Sequence, residues 1–315
     1  MSMFFIFDVA RNAQKSLLYE AAVYPKPGLV TPLDNGSHKD MNHKTFIDSA
    51  LSLLPCFISC ASIGFETCSL PPADILPMLR AVGKQGEKEM YGATNGVNAH
   101  KGAIFLLGLL VAASARVFAL RLTLAPKRIA EVAAAFVAGI VRRELTPLLD
   151  EETPAKGLSE HSAGELAYIL HRIDGPRGEA ERGFPTVLSA LAEMKNMDYI
   201  PFSFNESAAT AQLDAAQTIG PESLLFREKL AHILIYIMAD NADSNLISRG
   251  GFDALTEVRN LSRDATAAGG MKTPAGRNKI ADMEKTLVQK NLSPGGSADI
   301  LSCALFLRMT ESMIM

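Results

Sequence analysis

The stretch that decides the fold runs from Gly83 to Leu110, GKQGEKEMYGATNGVNAHKGAIFLLGLL. Its continuation from Gly102 to Ala115 carries no charge and is apolar on every face, as expected of a helix buried on all sides. Ala103, Gly108, Ala112 and Ala113 are small enough to let neighbouring helices approach closely. The entrance is polar: Thr94-Asn95-Gly96-Val97-Asn98 reads as a turn, with Asn98 as the N-cap. His100 and Lys101 then fall in the first turn, beside backbone N–H groups that have no intrahelical partner. Free donors, an imidazole and an ammonium at one helix start make an anion pocket. Glu87 and Glu89 end the helix before it and can face that pocket. A well-capped core helix would share these features, so the rest of the chain has to decide.

Outward from this segment, apolar residues recur at helical spacing. On residues 8–23, Val9, Ala13, Leu17 and Glu20 share one side. Further helices are predicted over 44–64, 73–90, 126–145, 160–172, 184–197, 206–217, 222–240, 252–268, 275–291 and 298–313. The stretch 198–205 alternates briefly, but Pro201 and its isolation argue against a strand. Nothing resembles a βαβ succession. The expectation is an all-α fold, a single multi-helix catalytic domain over 1–315 around a buried central helix at about 99–115. The segment 146–158 reads as a possible surface linker, with one site composed from both sides of it.

Composition narrows the function. The chain is 48% hydrophobic and 21% charged, within the globular range, with a net charge of −3 that argues against broad nucleic-acid or acidic-membrane binding. The four cysteines form no CxxC pair. Cys56 and Cys60 lie one helical turn apart without a nearby histidine, which favours buried thiols over a metal site and a reducing compartment. The opening MSMFFIF lacks a basic n-region, and the longest uncharged run, 102–115, is shorter than the ~20 residues of a membrane span. A cytoplasmic protein is expected.

Each long helix is joined to the next by a glycine-rich, charged junction. The first holds Lys26, Gly28, His38 and Asp40; the second runs from Glu87 to Lys101; the third holds Arg177, Glu179, Glu181 and Arg182. The fourth contains Asp240, Asp243, Asn245 and Arg249. The fifth is Asn291-Leu292-Ser293-Pro294-Gly295-Gly296-Ser297-Ala298-Asp299. There Gly295 and Gly296 can turn successive N–H groups inward and Ser297 can cap the next helix, a phosphate cradle at a helix start. Asp299 in that turn would repel a phosphate unless a divalent cation lies between them, and Mg²⁺ is the natural bridge. Each cluster alone is also consistent with a solvated loop or a capped helix. Together, acids, bases and glycines at every junction suit a metal–polyphosphate complex.

Six motifs in order, KPGLV (26–30), NGSHKDM (35–41), GVNAHKG (96–102), RGEAERGFP (177–185), SNLISRGG (244–251) and NLSPGGSADIL (291–301), resemble those of the triphosphoribosyl-dephospho-CoA synthase family. They span about Glu20 to Leu307, and their wording is more like the citrate lyase branch than the malonate decarboxylase branch. The chain departs from the family pattern at Thr31 (commonly Asp), Asn95 (Gly), Ala99 (Thr) and Ser244 (Thr). The resemblance implies an all-helical transferase of ATP and 3′-dephospho-CoA. It would release adenine and make the prosthetic-group precursor of an acyl-carrier subunit. Breaking the glycosidic bond calls for a carboxylate near C1 and a proton donor near adenine. Glu87 or Asp243 is expected at the reacting centre and His38 or His100 in proton transfer. Lys26, Asn98, Lys101, Arg177, Asn245, Arg249, Ser293, Gly295, Gly296 and Ser297 are expected to bind substrate, and Asp40, Glu179, Asp243 and Asp299 to hold Mg²⁺. Two rival readings are an Mg²⁺-dependent hydrolase of a nucleotide or ADP-ribosyl bond and a non-catalytic helical scaffold.

Overall fold

In the computed structural model the described residues are 2–149, 161–197 and 226–313. Most of the expected linker, the 198–205 stretch, the predicted 206–217 helix and the start of the one at 222–240 lie outside them. The described residues form helices and 3-10 turns with no strand, as an all-α fold requires. In chain order the helices are α1 (Ser2–Ala21), α2 (His43–Ser52), α3 (Leu54–Glu66), α4 (Ile75–Ala93), α5 (Lys101–Ala119), α6 (Pro126–Phe136) and α7 (Ile140–Glu144). There follow α8 (Ala163–His171), α9 (Gly175–Glu181), α10 (Pro185–Asn196), α11 (Phe226–Met238), α12 (Ser244–Ala267), α13 (Pro274–Gln289) and α14 (Gly295–Glu311).

The central helix is α5. It is buried almost continuously from Ala103 to Val117 and packs most closely on α3, then on α14, α6, α1 and α4. Small residues make that approach possible: a Cβ on Gly64 of α3 would meet the Ala112 carbonyl oxygen at 2.0 Å. The helix is 19 residues long, beyond the uncharged run, because Lys101 opens it and Arg116 continues it. Arg116 is tolerated inside because its guanidinium donates to the carbonyl oxygens of Thr67 and Leu70. By length and apolarity both α5 and the 43–66 stretch would suffice to cross a membrane, but 78% of the most apolar part of α5 is buried among its neighbours. A second helix, α14, is enclosed as thoroughly as α5 and touches it, α1, α10 and α11. Residues from both sides of the 146–158 segment thus share one core.

Several helix boundaries differ from expectation for identifiable reasons. The predicted 44–64 helix is broken at Leu53, just before Pro55, which supplies no N–H to continue the ladder. The 126–145 helix divides at Gly139, which adopts φ +75°. The third junction is not a loop: Gly175–Glu181 is helical. α12 begins at Ser244 rather than near 252 and kinks at Gly251 (φ +71°). α4 continues past Glu87 and Glu89 to Ala93.

Candidate active site

The starts of α5, α12 and α14 converge, and two aspartates sit among them. Asp243, the N-cap of α12, accepts from the Asn245 N–H at 3.0 Å and, through its other oxygen, from the Ser297 N–H and hydroxyl at 2.8 and 3.1 Å. One carboxylate therefore caps two helices. The glycines of the fifth junction make this contact possible, since a Cβ on Gly296 would lie 2.9 Å from Asp243 Oδ1 and one on Gly295 2.9 Å from Asn245 Nδ2. Both glycines are inside the first turn of α14, so they serve close approach and not an irregular loop. Ser297 is turned to Asp243 and accepts from the Asn241 amide, and it lines neither of the two cavities that meet here.

Asp299, one turn further along α14, reaches the start of α5. Its Oδ2 would be 2.2 Å from a Cβ on Gly102, and the Ala103 N–H donates to it. Burial, together with the carboxylates of Asp243 and Glu20, pushes Asp299 well above the usual carboxylate range. Burial also raises Asp243, against the pull of its N–H donors.

Two cavities meet here. The larger, of about 660 Å³, is lined by Glu87, Arg177, Glu179, Asp243 and Gly296, with Tyr91 and Phe105 among its apolar walls. The smaller, of about 270 Å³, is lined by Lys26, His38, Asp40, His100, Arg249, Ser293 and Gly295. Asn98, Lys101, Gly102, Asn245 and Asp299 line both. Of the residues expected to react, to bind substrate or to hold Mg²⁺, all except Ser297 thus border one cavity or the other.

Their local partners revise several expectations. Lys26 is buried and bonded to Glu20, Nζ to Oε1 2.7 Å, with a further bond to the Glu20 carbonyl oxygen. Its charge is balanced inside the protein before any phosphate arrives. Glu20 was readable only as a charge on the buried face of α1; its partner lies six residues on, across the turn. Glu179, expected at a metal, caps α10: its oxygens accept from the Thr186 N–H (2.8 Å), the Thr186 hydroxyl (2.9 Å) and the Val187 N–H (3.1 Å). Asp40 is exposed, its side chain 64% accessible, 3.6 Å from His38 and apart from the other acids. Asn98 accepts from the Lys101 N–H at 3.1 Å, as a cap would, although His100 is the residue preceding the helix. Lys101 pairs with Glu87 at 3.3 Å, and Arg177 with Glu144 at 3.1 Å. Glu144 also pairs with Arg80, and neither residue stood out in the sequence.

Neither His38 nor His100 is an imidazolium at neutral pH. Arg249 donates through Nη2 to His38 Nδ1 at 3.2 Å, and a guanidinium only donates, so His38 holds its hydrogen on Nε2 and donates to Ser293 Oγ at 2.8 Å. Burial first, then Arg249, lowers its pKa. His100 is 3% exposed, its Nδ1 is bonded to Ser49 Oγ at 2.7 Å, and its Nε2 is buried without a partner. Burial, with Lys26 adding to it, holds His100 at a pKa of about 3.

The family departures are accommodated. Asn95 has φ +54°, a left-handed backbone that asparagine tolerates in place of glycine. The Thr31 hydroxyl accepts from the N–H groups of Leu33 and Asp34, holding the turn as an aspartate would. Ala99 lines the smaller cavity, so the missing hydroxyl is missing there.

Among the described residues no group of three or more His, Cys, Asp or Glu side chains converges to hold a metal. Glu179 and Asp243 each accept three hydrogen bonds, whereas Asp299 accepts from the Ala103 N–H and is the buried carboxyl with oxygen positions left to offer. That donor set fits Mg²⁺ brought in on a triphosphate, which takes one or two carboxylates besides phosphate oxygens. It does not fit a resident ion.

Known proteins resemble the chain over nearly its whole length. A family model described as ATP:dephospho-CoA triphosphoribosyl transferase matches residues 6–314. A relative from Malonomonas rubra is 34% identical over 95% of this chain and 86% of its own length. One from Streptococcus equi subsp. zooepidemicus is 34% identical over 98% of both chains, and one from Vibrio cholerae 34% over 93% and 85%. All three are named probable 2-(5″-triphosphoribosyl)-3′-dephosphocoenzyme-A synthase. No solved structure matches.

Proposed function

The chain belongs to the ATP:dephospho-CoA triphosphoribosyl transferase family, and from that premise we propose that it moves the triphosphoribosyl group of ATP onto the 2′-hydroxyl of 3′-dephospho-CoA. The observation that carries this reading is the pair of adjoining cavities with motif residues around both. A hydrolase needs room for one nucleotide and water; two joined cavities suit the reacting ends of two nucleotides.

In the transfer the 2′-oxygen bonds to C1 of the ATP ribose, the C1–N9 bond breaks, and one proton passes overall from the hydroxyl to adenine. Glu87, on the larger cavity and paired with Lys101 of the shared wall, is placed to serve as base toward an acceptor bound there. Glu87 takes the hydroxyl proton; such general-base help contributes about 10²–10⁴ in rate. Lys101 and Arg249 supply positive charge, and the Ser293 hydroxyl supplies a donor to phosphate. Mg²⁺ on the triphosphate, held by phosphate oxygens and Asp299, would neutralise the charge that gathers there. The product would serve as precursor to the prosthetic group of an acyl-carrier subunit. The motif wording favours the citrate lyase branch, and the substrates favour the cytoplasm.

Incubation with ATP, Mg²⁺ and dephospho-CoA, followed by mass analysis, tests the proposal. The expected result is adenine plus an acceptor heavier by one triphosphoribosyl group, with both lost in excess chelator. Adenine release that ignores dephospho-CoA would replace this reading with a hydrolase.

A further inference from the structure

The transferase reading leaves open where each nucleotide lies. We propose that the two cavities are separate subsites filled at the same time. The smaller takes the triphosphate and ribose of the donor, the larger takes the acceptor nucleotide with its diphosphate arm, and the sugar crosses at the shared wall. The inference rests on the transferase reading for the identity of the ligands and on geometry for their placement.

Size separates the two. At about 270 Å³ the smaller cavity falls below the ~300–1,000 Å³ typical of sites that enclose a whole drug-sized ligand, and the larger, at about 660 Å³, lies inside that range. The smaller therefore suits one end of a nucleotide. Its walls are those of a phosphate site. Arg249 is steadied by the carbonyl oxygens of Ser37 and Asn291, each 3.1 Å from Nη1, and by His38 at Nη2, which leaves Nε and the second Nη2 hydrogen of its fork for a ligand. Ser293 and Lys101 complete the donors. A second observation points to a missing ligand: His100, nine-tenths buried in this wall, has an Nε2 with no partner in the protein. Native interiors rarely leave such an atom unpaired.

The larger cavity has the character of a nucleoside and pantetheine site. Tyr91 and Phe105 offer aromatic faces, and Leu76 and Leu79 aliphatic ones. Arg80 and Arg177, aligned by their common partner Glu144, stand where a diphosphate can meet them. The cavities adjoin at Asn98, Lys101, Gly102, Asn245 and Asp299, which line both, and Gly102 lets the start of α5 lie against Asp299, since a Cβ there would strike its carboxyl. Two ligands, one in each cavity, meet at this shared edge. The sugar can then pass directly from N9 to the 2′-oxygen without an intermediate bound to the protein.

Calorimetric titration of the full-length protein with inorganic triphosphate plus Mg²⁺, and separately with dephospho-CoA, tests the division. Saturating one should leave the affinity for the other within about threefold. Arg249→Lys should weaken triphosphate and ATP about tenfold or more and leave dephospho-CoA unchanged. Tyr91→Ala should do the reverse, tenfold being about 1.4 kcal/mol. Circular dichroism and thermal melts check that each variant is folded; if either melts early, Ser293→Ala and Phe105→Leu replace them. Competition between triphosphate and dephospho-CoA, or variants that weaken both ligands alike, would overturn the assignment even if the enzyme still transfers. Independent binding of both ligands without adenine release would support the subsites and sink the transferase reading instead.

Discussion

A Cβ on Gly102 would sit 2.2 Å from Asp299 Oδ2, so Gly102→Ala must displace the carboxyl that lines both cavities. The expected outcome is a loss of about 10²-fold in kcat/KM with the helical content unchanged, read by adenine release and circular dichroism. Normal activity would mean that Asp299 does not need its place. Glu284 is a different case, since its effect is on stability. It accepts from the Gly28 N–H at 3.2 Å beneath the first motif loop, and burial, then Asp34, raises its pKa to about 7. The folded state therefore keeps a proton that the unfolded chain loses above about 4.5, and stability falls as pH rises from about 4.5 to 7. Glu284→Gln mimics the protonated form. It should raise the melting temperature at pH 8 and change it little at pH 4.5, and an equal effect at both would refute the assignment. Glu284 could not have been found from sequence, because a lone glutamate in a polar helix looks solvated until the loop that covers it is in place.

Among the elements, α5 shows where the sequence is a reliable guide. A charge-free run allows only a buried helix, and α5 is buried on all sides. The same patterning missed that α14 is its equal, because Asp299 and Arg308 break the apolar run of that helix. The α3–α5 contact depends on Gly64, whose substitution by alanine would drive a Cβ into the Ala112 carbonyl oxygen. Gly64→Ala should destabilise the protein by about 1–3 kcal/mol, measured by denaturant unfolding. Leu107→Ala, at a fully buried position in the middle of α5, should cost about 2–5 kcal/mol by leaving a cavity. If Gly64→Ala were neutral, the two helices would have to pack less closely than described.

For the whole molecule, the junctions come from both sides of the 146–158 segment, yet their residues surround adjoining cavities. Residues 1–149 expressed alone lack α14, against which α1 and α5 pack. That fragment should show no cooperative thermal transition and no binding of ATP–Mg²⁺; native affinity in it would disprove a composite site. The sequence by itself determined the helical class, the buried central helix and the identity of the motif residues, because periodicity and residue chemistry are local properties of the chain. It could not decide which charges were already matched. Lys26 to Glu20, Glu179 to the start of α10 and Asp243 to two helix starts are pairings made by close approach. Only the tertiary structure decided them, since a charge's role depends on what lies within a few ångströms of it. That distance is set by how helices far apart in sequence pack, and the same packing left Asp299 on the wall between two cavities.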